Sequence, residues 1–242
     1  MVINAKTDTG LVRSSNQDGF KIGLLADDRA AWAVVCDGMG GANGGSVASG
    51  MALESISNDI VNHYRDKMSA NSVMNLLKTS IINANTRIHN ESVSNADLMG
   101  MGTTVVVVLI IADVAYIAHV GDSRAYRITD GISQITKDHS VVQTLVEKGK
   151  LSQQQARTHP DKNIITRALG VDRKVDIDYN EIEINSGEIF LICTDGLTNY
   201  AEDEEILQIV KESETEKTPD MLIQRANENG GGDNITAAII RV

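Results

Sequence analysis

Four aspartates lie beside a glycine at the ends of short apolar segments. Asp37 and Asp195 follow segments rich in valine, isoleucine and leucine. Asp122 also follows such a segment, and Asp233 comes just before another. A single pair of aspartate and glycine is typical of a plain turn, because both residues tolerate unusual backbone angles. Four of them, each joined to a segment that must enter the core, indicate that carboxylates collect at the strand ends.

Collected carboxylates predict a site for divalent cations. Carboxylates a few ångströms apart repel one another, which raises their pKa values unless cations neutralise them. Carboxylate and carbonyl oxygens favour Mg²⁺ or Mn²⁺, whereas zinc favours histidine and cysteine ligands. The five histidines have no zinc-ligand spacing, and we expect His139 to make only a structural hydrogen bond. We therefore predict an oxygen-rich pocket for magnesium or manganese.

Segment 13–18 near the amino terminus adds a positive charge and another acid. It begins with Arg13 and ends with Asp18. By its pattern alone this segment is typical of an ordinary surface loop. Beside a metal pocket, however, an arginine is suited to bidentate binding of a phosphate group.

The composition excludes several classes of protein. The 242 residues contain 22 Lys and Arg against 33 Asp and Glu, a formal net charge of -11. This charge argues against binding of nucleic acid or of an anionic membrane. With 42% hydrophobic residues the chain is not disordered. Its longest apolar run, residues 105–112, is too short to cross a bilayer.

Cysteine usage and the absence of linkers predict a cytoplasmic protein of one domain. Cys36 and Cys193 each end an apolar run, which favours buried thiols in a reducing compartment. The amino terminus lacks the basic region and long apolar stretch of a secretory signal, so we predict that the protein is not exported. No segment rich in proline, serine or glycine divides the chain, so we predict a single domain over residues 1–242.

The elements that must position the aspartates predict an α+β fold. One helix face is formed by Val73, Leu77, Ile81, Ala84 and Ile88, which recur at helical spacing. Further helices are predicted to start near residue 46 and at residue 218. Strands are predicted at 31–36, 103–111, 114–120, 188–193 and 235–242, with a tight antiparallel hairpin at residues 112–113.

Residues 138–166 are more polar than the rest of the chain. They contain a short amphipathic segment at 141–147 and a second short segment at 151–156. We expect this stretch to form a flap outside the main sheets.

Eight motifs, in this order along the chain, resemble the motif set of the metal-dependent protein phosphatases, the protein phosphatase 2C family. More narrowly, the chain resembles the compact bacterial serine/threonine phosphatases of that family. The motifs are Thr9-Gly10 through Asp18, Asp37-Gly38-Met39-Gly40-Gly41, Gly100-Met101-Gly102-Thr103-Thr104, Gly121-Asp122-Ser123-Arg124, Asp138-His139-Ser140, Ile165-Thr166-Arg167-Ala168-Leu169-Gly170, Thr194-Asp195-Gly196-Leu197 and Asp233-Asn234-Ile235-Thr236.

The resemblance implies a central antiparallel β-sandwich flanked by helices on both faces, an α-β-β-α arrangement, with a flap subdomain. A metal centre would lie at one end of the sandwich. Asp37, Asp195 and Asp233 match the ligands of a first ion. Asp37 and the carbonyl oxygen of Gly38 match those of a second ion.

Further site residues also follow from the resemblance. Asp18 would hold a water of the second ion, and Asp122 would bind a third, weaker ion together with Asp195. Arg13 matches the phosphate clamp, and Asn234 follows the ligand Asp233 in the last motif. Arg13, Asp37 and Asp195 are thus the candidate catalytic residues.

The implied activity is hydrolysis of phosphoserine and phosphothreonine in proteins. A hydroxide bridging two Mn²⁺ or Mg²⁺ ions would attack phosphorus. Arg13 and the ions would hold the nonbridging oxygens as charge develops. The implied partners are phosphoprotein substrates and a serine/threonine protein kinase whose action this signalling enzyme reverses, and we expect a monomer.

The chain departs from the family pattern beside the first metal motif. Met39 stands where many eukaryotic members carry a histidine proposed as general acid, and Ala42 replaces a histidine common in bacterial members. The leaving group therefore lacks an obvious side-chain proton donor. We expect a metal-bound water, held through Asp122, to supply the proton.

Two alternatives remain at this stage. A regulator that binds phosphoproteins without turnover would keep the same fold. A nucleotide-binding protein is indicated only by the five glycines within residues 38–45, whose spacing does not match a dinucleotide-binding motif.

Overall fold

The computed structural model describes residues 1–26 and 28–242, with only the main chain of residue 42. Its strands are β1 Val2–Asp8, β2 Asp18–Leu25, β3 Ala30–Met39, β4 Gly102–Thr103, β5 Val105–Ile111, β6 Val114–Val120, β7 Arg124–Ile128, β8 Ile132–Gln134, β9 Asp178–Glu183, β10 Ile189–Cys193 and β11 Ile235–Arg241. Its α-helices are α1 Gly41–His63, α2 Ala70–Ser94, α3 Val141–Glu147, α4 Gln153–Arg157, α5 Asp195–Thr198, α6 Asp203–Glu212 and α7 Thr218–Glu228. A 3₁₀ turn covers Ala96–Leu98.

The strands form two antiparallel sheets. One sheet has the order β1-β11-β10-β7-β8, and the other has the order β2-β3-β5-β6-β9 with β4 paired to the end of β3. The hairpin at residues 112–113 joins β5 to β6, with Ile111 opposite Val114, as the sequence predicts.

The two sheets pack face to face with helices outside them. Val106 and Phe190 lie in the core between the sheets. Leu77 of α2 packs against the outer face of one sheet, and Leu222 of α7 packs against the outer face of the other. The predicted α-β-β-α arrangement is confirmed. Since both faces of each sheet are covered, the central strands read as continuous apolar runs.

The predicted helices are confirmed, with one start displaced. All five residues of the predicted α2 face are buried. α7 begins at residue 218 with Pro219 in its first turn. α1 begins at Gly41, five residues before the predicted start. Its first turn is rich in glycine, which has low intrinsic helix propensity, so the sequence pattern hid this start.

Most of the strands that were not predicted from the sequence lie at the edge of a sheet. The missed strands are β1, β2, β7, β8 and β9, and all but β7 lie at a sheet edge. Edge strands are half-exposed and carry polar residues, so they lack the apolar signal of the central strands. The strand predicted over 103–111 is interrupted at Thr104, which separates β4 from β5.

The flap segment, residues 138–166, contains α3 and α4. Its two ends pair with each other, because Val141 N–H donates to the Ile164 carbonyl at 2.9 Å. Thr166 N–H donates to the carbonyl of His139 at 2.8 Å. His139 N–H in turn donates to the Gly121 carbonyl at 2.9 Å, so the flap segment leaves and rejoins the fold beside the turn after β6.

Two further expectations concern the cysteines and the membrane. Cys36 and Cys193 are buried free thiols, as predicted. Within the described residues, no helix has both the length and the apolar character that crossing a bilayer requires.

Candidate metal centre

The predicted site residues meet at one end of the sandwich. Asp18 at the start of β2 pairs with Asp37 near the end of β3. Thr194, just after β10, donates its N–H to the carbonyl of Thr236 in β11. A cavity of about 450 Å³ opens at this end, and its lining includes Arg13, Asp37, Gly38, Asp122, Asp195, Asp233 and Asn234.

Asp18 lies behind this cavity, where two threonines hold its carboxylate. Its Oδ2 accepts hydrogen bonds from Thr194 Oγ1 at 2.7 Å and from Thr236 Oγ1 at 2.9 Å. Burial raises the pKa of Asp18 to about 7, although the two threonine hydrogen bonds act in the opposite direction. Sequence reasoning missed both threonines. Thr236 lies on the same strand face as Ala238 and Ile240 of the inter-sheet core. This period of two is a signal that could have identified Thr236 as a residue that faces the core.

Asp37 is half-buried among other carboxylates. Its pKa is raised well above the usual range, first by burial and then by repulsion from Asp18 and Asp195. Thr104 fixes its main chain: Asp37 N–H donates to Thr104 Oγ1 at 3.0 Å, and Thr104 N–H donates to the Asp37 carbonyl at 2.8 Å. The break between β4 and β5 therefore has a role, because it orients this aspartate.

Asp195 is the first residue of α5. Burial and then the charge of Asp233 raise its pKa, while hydrogen bonds with Asp37 and Asn199 partly offset this effect. Asn199 Nδ2 donates to Asp195 Oδ2 at 2.9 Å, one helical turn away. Asn199 was not predicted as a site residue, although its spacing of four from Asp195 places it on the same helix face.

Asp122 follows a turn that is tied to the flap segment. Gly121 N–H donates to His139 Nδ1 at 3.0 Å, which confirms the structural hydrogen bond predicted for this histidine. Asp122 is buried, and its pKa is raised well above the usual range by burial and then by the charges of Asp195 and Asp138.

Arg13 reaches the cavity from an exposed loop. Its Nη2 lies 2.9 Å from Asp233 Oδ2, while 55% of its side chain remains exposed. Asn234 holds this loop in place, because its Nδ2 donates to the carbonyls of Thr9 and Ser15 at 2.9 Å each. Gly10, with φ +77°, leaves no room for a Cβ, which would collide with the Asp233 carbonyl. The loop therefore approaches Asp233 closely.

The donor set fits hard divalent cations. Asp18, Asp37, Asp122 and Asp195 all have raised pKa values, so the side chains nearby do not neutralise their charges fully. Arg124, a second arginine beside this end of the sandwich, is bound by Asp138 with Nη2 and Oδ2 at 2.7 Å. Oxygen donors without histidine or cysteine among them suit Mg²⁺ or Mn²⁺.

Comparison with known proteins identifies the family. The model of a family described as protein phosphatase 2C matches residues 12–230. The chain belongs to the protein phosphatase 2C family. The serine/threonine phosphatase stp of Listeria innocua is 37% identical over 237 residues, covering 97% of this chain and 93% of that protein. The predicted family and enzyme class are thus confirmed, and the chain is a phosphoprotein phosphatase.

Solved structures confirm the fold of this phosphatase. The serine/threonine phosphatase of S. agalactiae superposes with a TM-score of 0.92 at 33% identity, covering 100% of this chain and 99% of that one. The catalytic domain of the phosphatase PstP, in complex with two manganese ions, gives a TM-score of 0.85 at 30% identity, covering 98% and 96% of the two chains.

A second polar cluster of the phosphatase lies in the neck of the flap. His119, His139 and Asp178 bring their ligand-type atoms within 4.8 Å of one another, which their spacing in the sequence did not predict. Arg167 Nη1 lies 2.8 Å from Asp178 Oδ1 and 3.1 Å from His139 Nε2. His139 Nδ1 already accepts from Gly121. Because Arg167 forms an ion pair with Asp178, the cluster has its own internal cation.

Proposed function

We propose that this phosphatase hydrolyses phosphoserine and phosphothreonine in proteins with two Mn²⁺ or Mg²⁺ ions at the candidate metal centre. The observation that carries this proposal is the meeting of half-buried aspartates with raised pKa values and a half-exposed arginine in one cavity. Such a cavity takes up both cations and a phosphate dianion.

The ligand assignment follows the motif match. Asp37, Asp195 and Asp233 would hold the first ion, and Asp37 with the Gly38 carbonyl would hold the second. Asp18, behind the cavity, would act through a water. A third and weaker ion would bind Asp122 with Asp195, and the shared cavity lining of these two residues supports this pairing.

The chemistry divides between the ions and the chain. When bound, the ions supply an activated water as nucleophile at neutral pH and offset the charge of the phosphate. Arg13 uses one amino group to contact Asp233, so its other N–H groups can hold the nonbridging oxygens of the phosphate. Asn234 keeps the loop of Arg13 against the cavity, and Asn199 orients the carboxylate of Asp195.

The leaving serine or threonine oxygen needs a proton. Met39 lines the cavity but has no proton to donate, and the side chain of Ala42 lies outside the described residues. We expect a water ordered by the carboxylate of Asp122 to supply this proton. Asp122 is suited to the task because its carboxylate lines the same cavity as Asp37 and Asp195.

We infer the wider setting from the same features. The chain would work as one catalytic domain, residues 1–242, with residues 138–166 as the flap over the site. A serine/threonine kinase would add the phosphate groups that this enzyme removes. A cytoplasmic monomer agrees with the two buried free thiols and the net charge of -11.

Hydrolysis of a phosphothreonine peptide tests the proposal. We expect release of phosphate with Mn²⁺, loss of release on chelation, and loss in Asp195→Ala. Asp113→Ala, in the exposed hairpin turn, is the matched control and should keep full activity. Activity that survives chelation or Asp195→Ala would contradict the mechanism, and peptide binding without turnover under any cation would favour a phospho-binding regulator.

A further inference from the structure

A second cavity lies between the flap segment and the helices α5 and α6. It has a volume of about 330 Å³, at the lower end of the range typical of ligand sites. Gln143 and Lys162 line it from the flap segment, and Asn199 and Glu202 line it from the opposite side. We name this cavity the flap cleft.

The flap cleft is continuous with the candidate metal centre. Asp122 and Asp195 line both cavities, so the two cavities adjoin at these carboxylates. An extended peptide advances about 3.3 Å per residue. A residue one to three positions from a phosphothreonine at the metal centre therefore reaches the flap cleft.

The charges of the flap cleft do not all cancel within the protein. Asp138 binds Arg124 at 2.7 Å, and Glu202 binds Arg157 at 2.8 Å. Lys162 differs from these two cations, since within residues 1–26 and 28–242 no carboxylate lies within ion-pair distance of its Nζ.

The partner of Lys162 is a neutral side chain. Its Nζ donates to Asn199 Oδ1 at 3.1 Å, and the residue is half-buried. An ammonium group carries three N–H donors, so Lys162 keeps donors for a further acceptor. Once the two shared carboxylates bind cations, the remaining charge of the flap cleft is positive.

We propose that the flap cleft binds an acidic side chain of the substrate, one to three residues from the phosphorylated serine or threonine, through Lys162. This inference rests on the proposed function, because it places the substrate phosphate at the metal centre. The cleft thus makes the phosphatase prefer phosphorylation sites with acidic neighbours, and Lys162 determines this preference.

Matched phosphothreonine peptides test the preference. Each peptide carries a single Glu, Gln or Lys at one position, placed one to three residues before or after the phosphothreonine. We expect kcat/KM to be about fivefold higher for Glu than for Gln at one or more positions, the effect of one partly exposed ion pair. The ratio should fall as salt is raised.

Variants of Lys162 identify the group responsible. Lys162→Gln should bring the ratio of Glu to Gln peptides to about one, and Lys162→Glu should reverse it in favour of Lys peptides. The ratio within each variant is the readout because Lys162 also contacts Asn199, which holds Asp195, so absolute rates can change. Lys150→Glu is the control, since Lys150 lies exposed in the flap segment and outside the cleft lining.

Three results would overturn the inference. They are equal kcat/KM for Glu, Gln and Lys peptides at every position, a Glu preference that survives Lys162→Glu, and an equal loss of preference in Lys150→Glu. Fluorescence anisotropy of the same labelled peptides measures the preference in binding. If no peptide is hydrolysed, the proposed function fails, and the anisotropy ratio still decides whether the flap cleft selects acidic neighbours.

Discussion

The aspartates of the metal centre and Asp178 in the neck of the flap experience opposite electrostatic environments. At the metal centre, burial and mutual repulsion raise the pKa of Asp37 and Asp195. In the neck of the flap, burial would also raise the pKa of Asp178, but hydrogen bonds from His139 and Arg167 outweigh it, and the pKa is lowered. A carboxylate that pairs with a cation of the protein therefore stabilises the fold, whereas carboxylates without such a partner form a binding site for an external cation.

The largest expected effect comes from Asp37→Asn at the metal centre, which should change activity and stability in opposite directions. Asp37→Asn should lower hydrolysis of a phosphothreonine peptide at least about 100-fold, because an ion loses a ligand. The same variant should raise the melting temperature in chelator, because one repelling charge is gone. Peptide assays and thermal melts in EDTA check both effects. A lower melting temperature for the chelated variant would show that repulsion at this end of the sandwich is not the dominant cost.

Arg13 provides the next largest effect. Arg13→Ala should lower kcat/KM about 100-fold, because it removes the charged donor for the phosphate oxygens. Arg13→Lys should recover only part of the loss, since lysine cannot bind two oxygens in a planar fork. Arg29→Ala, at an exposed arginine outside the cavity lining, is the matched control. Equal activity of Arg13→Lys and the wild type would argue against bidentate binding.

The raised pKa values at the metal centre predict that metal binding depends on pH. Asp18, with a pKa raised to about 7, and its neighbours hold protons that must leave before a cation binds. The rise in melting temperature on adding Mn²⁺ should therefore shrink as the pH falls from 7.5 to 5.5.

In chelator the same shifts have the opposite consequence. A carboxyl whose pKa is higher in the folded state binds more protons when folded, so its contribution to stability falls as pH rises from about 4 to about 7. Asp195→Asn should flatten this dependence, as measured by urea unfolding in EDTA at several pH values. An unchanged slope would mean that other groups set the pH dependence.

The smallest effect concerns the carboxylate that has its own cation. Asp178→Asn should lower the free energy of unfolding by about 0.5–1 kcal/mol, since 41% of its side chain is exposed and solvent screens the pair. Activity with Mn²⁺ should stay within about threefold of the wild type, because Asp178 does not line the metal cavity. Urea unfolding and peptide assays measure both. A loss of activity comparable to that of Asp37→Asn would abolish the distinction between the two groups.

Much of the fold could be predicted because the core elements have strong periodicity. The helix face from Val73 to Ile88 and the central strands follow the predicted spans closely. The edge strands β1, β2, β8 and β9 could not be predicted in this way, since strands that are half in solvent lack an apolar pattern. Two of them, β1 and β9, pair with strands distant in sequence, β11 and β6, whereas β2 and β8 pair with the adjacent strands β3 and β7.

The candidate site shows the same division. The aspartates could be predicted because each lies beside a glycine at a strand end. Thr194 has no such signal, and the period of two marks Thr236 only as a position that faces the core; the role of both threonines follows from their meeting at Asp18. The stacking of His119 on His139, with ring centroids 4.7 Å apart, likewise joins β6 to the flap neck, which are separate in the sequence.

Which residues have the chemistry to bind cations and phosphate follows from residue type and local pattern, which are properties of the chain alone. Which of their charges are neutralised depends on tertiary packing. The pKa of an aspartate depends on its burial and on the charges within a few ångströms, and those neighbours come from distant parts of the chain. For that reason Asp37 and Asp178, which carry the same side chain, have pKa values shifted in opposite directions in the folded protein.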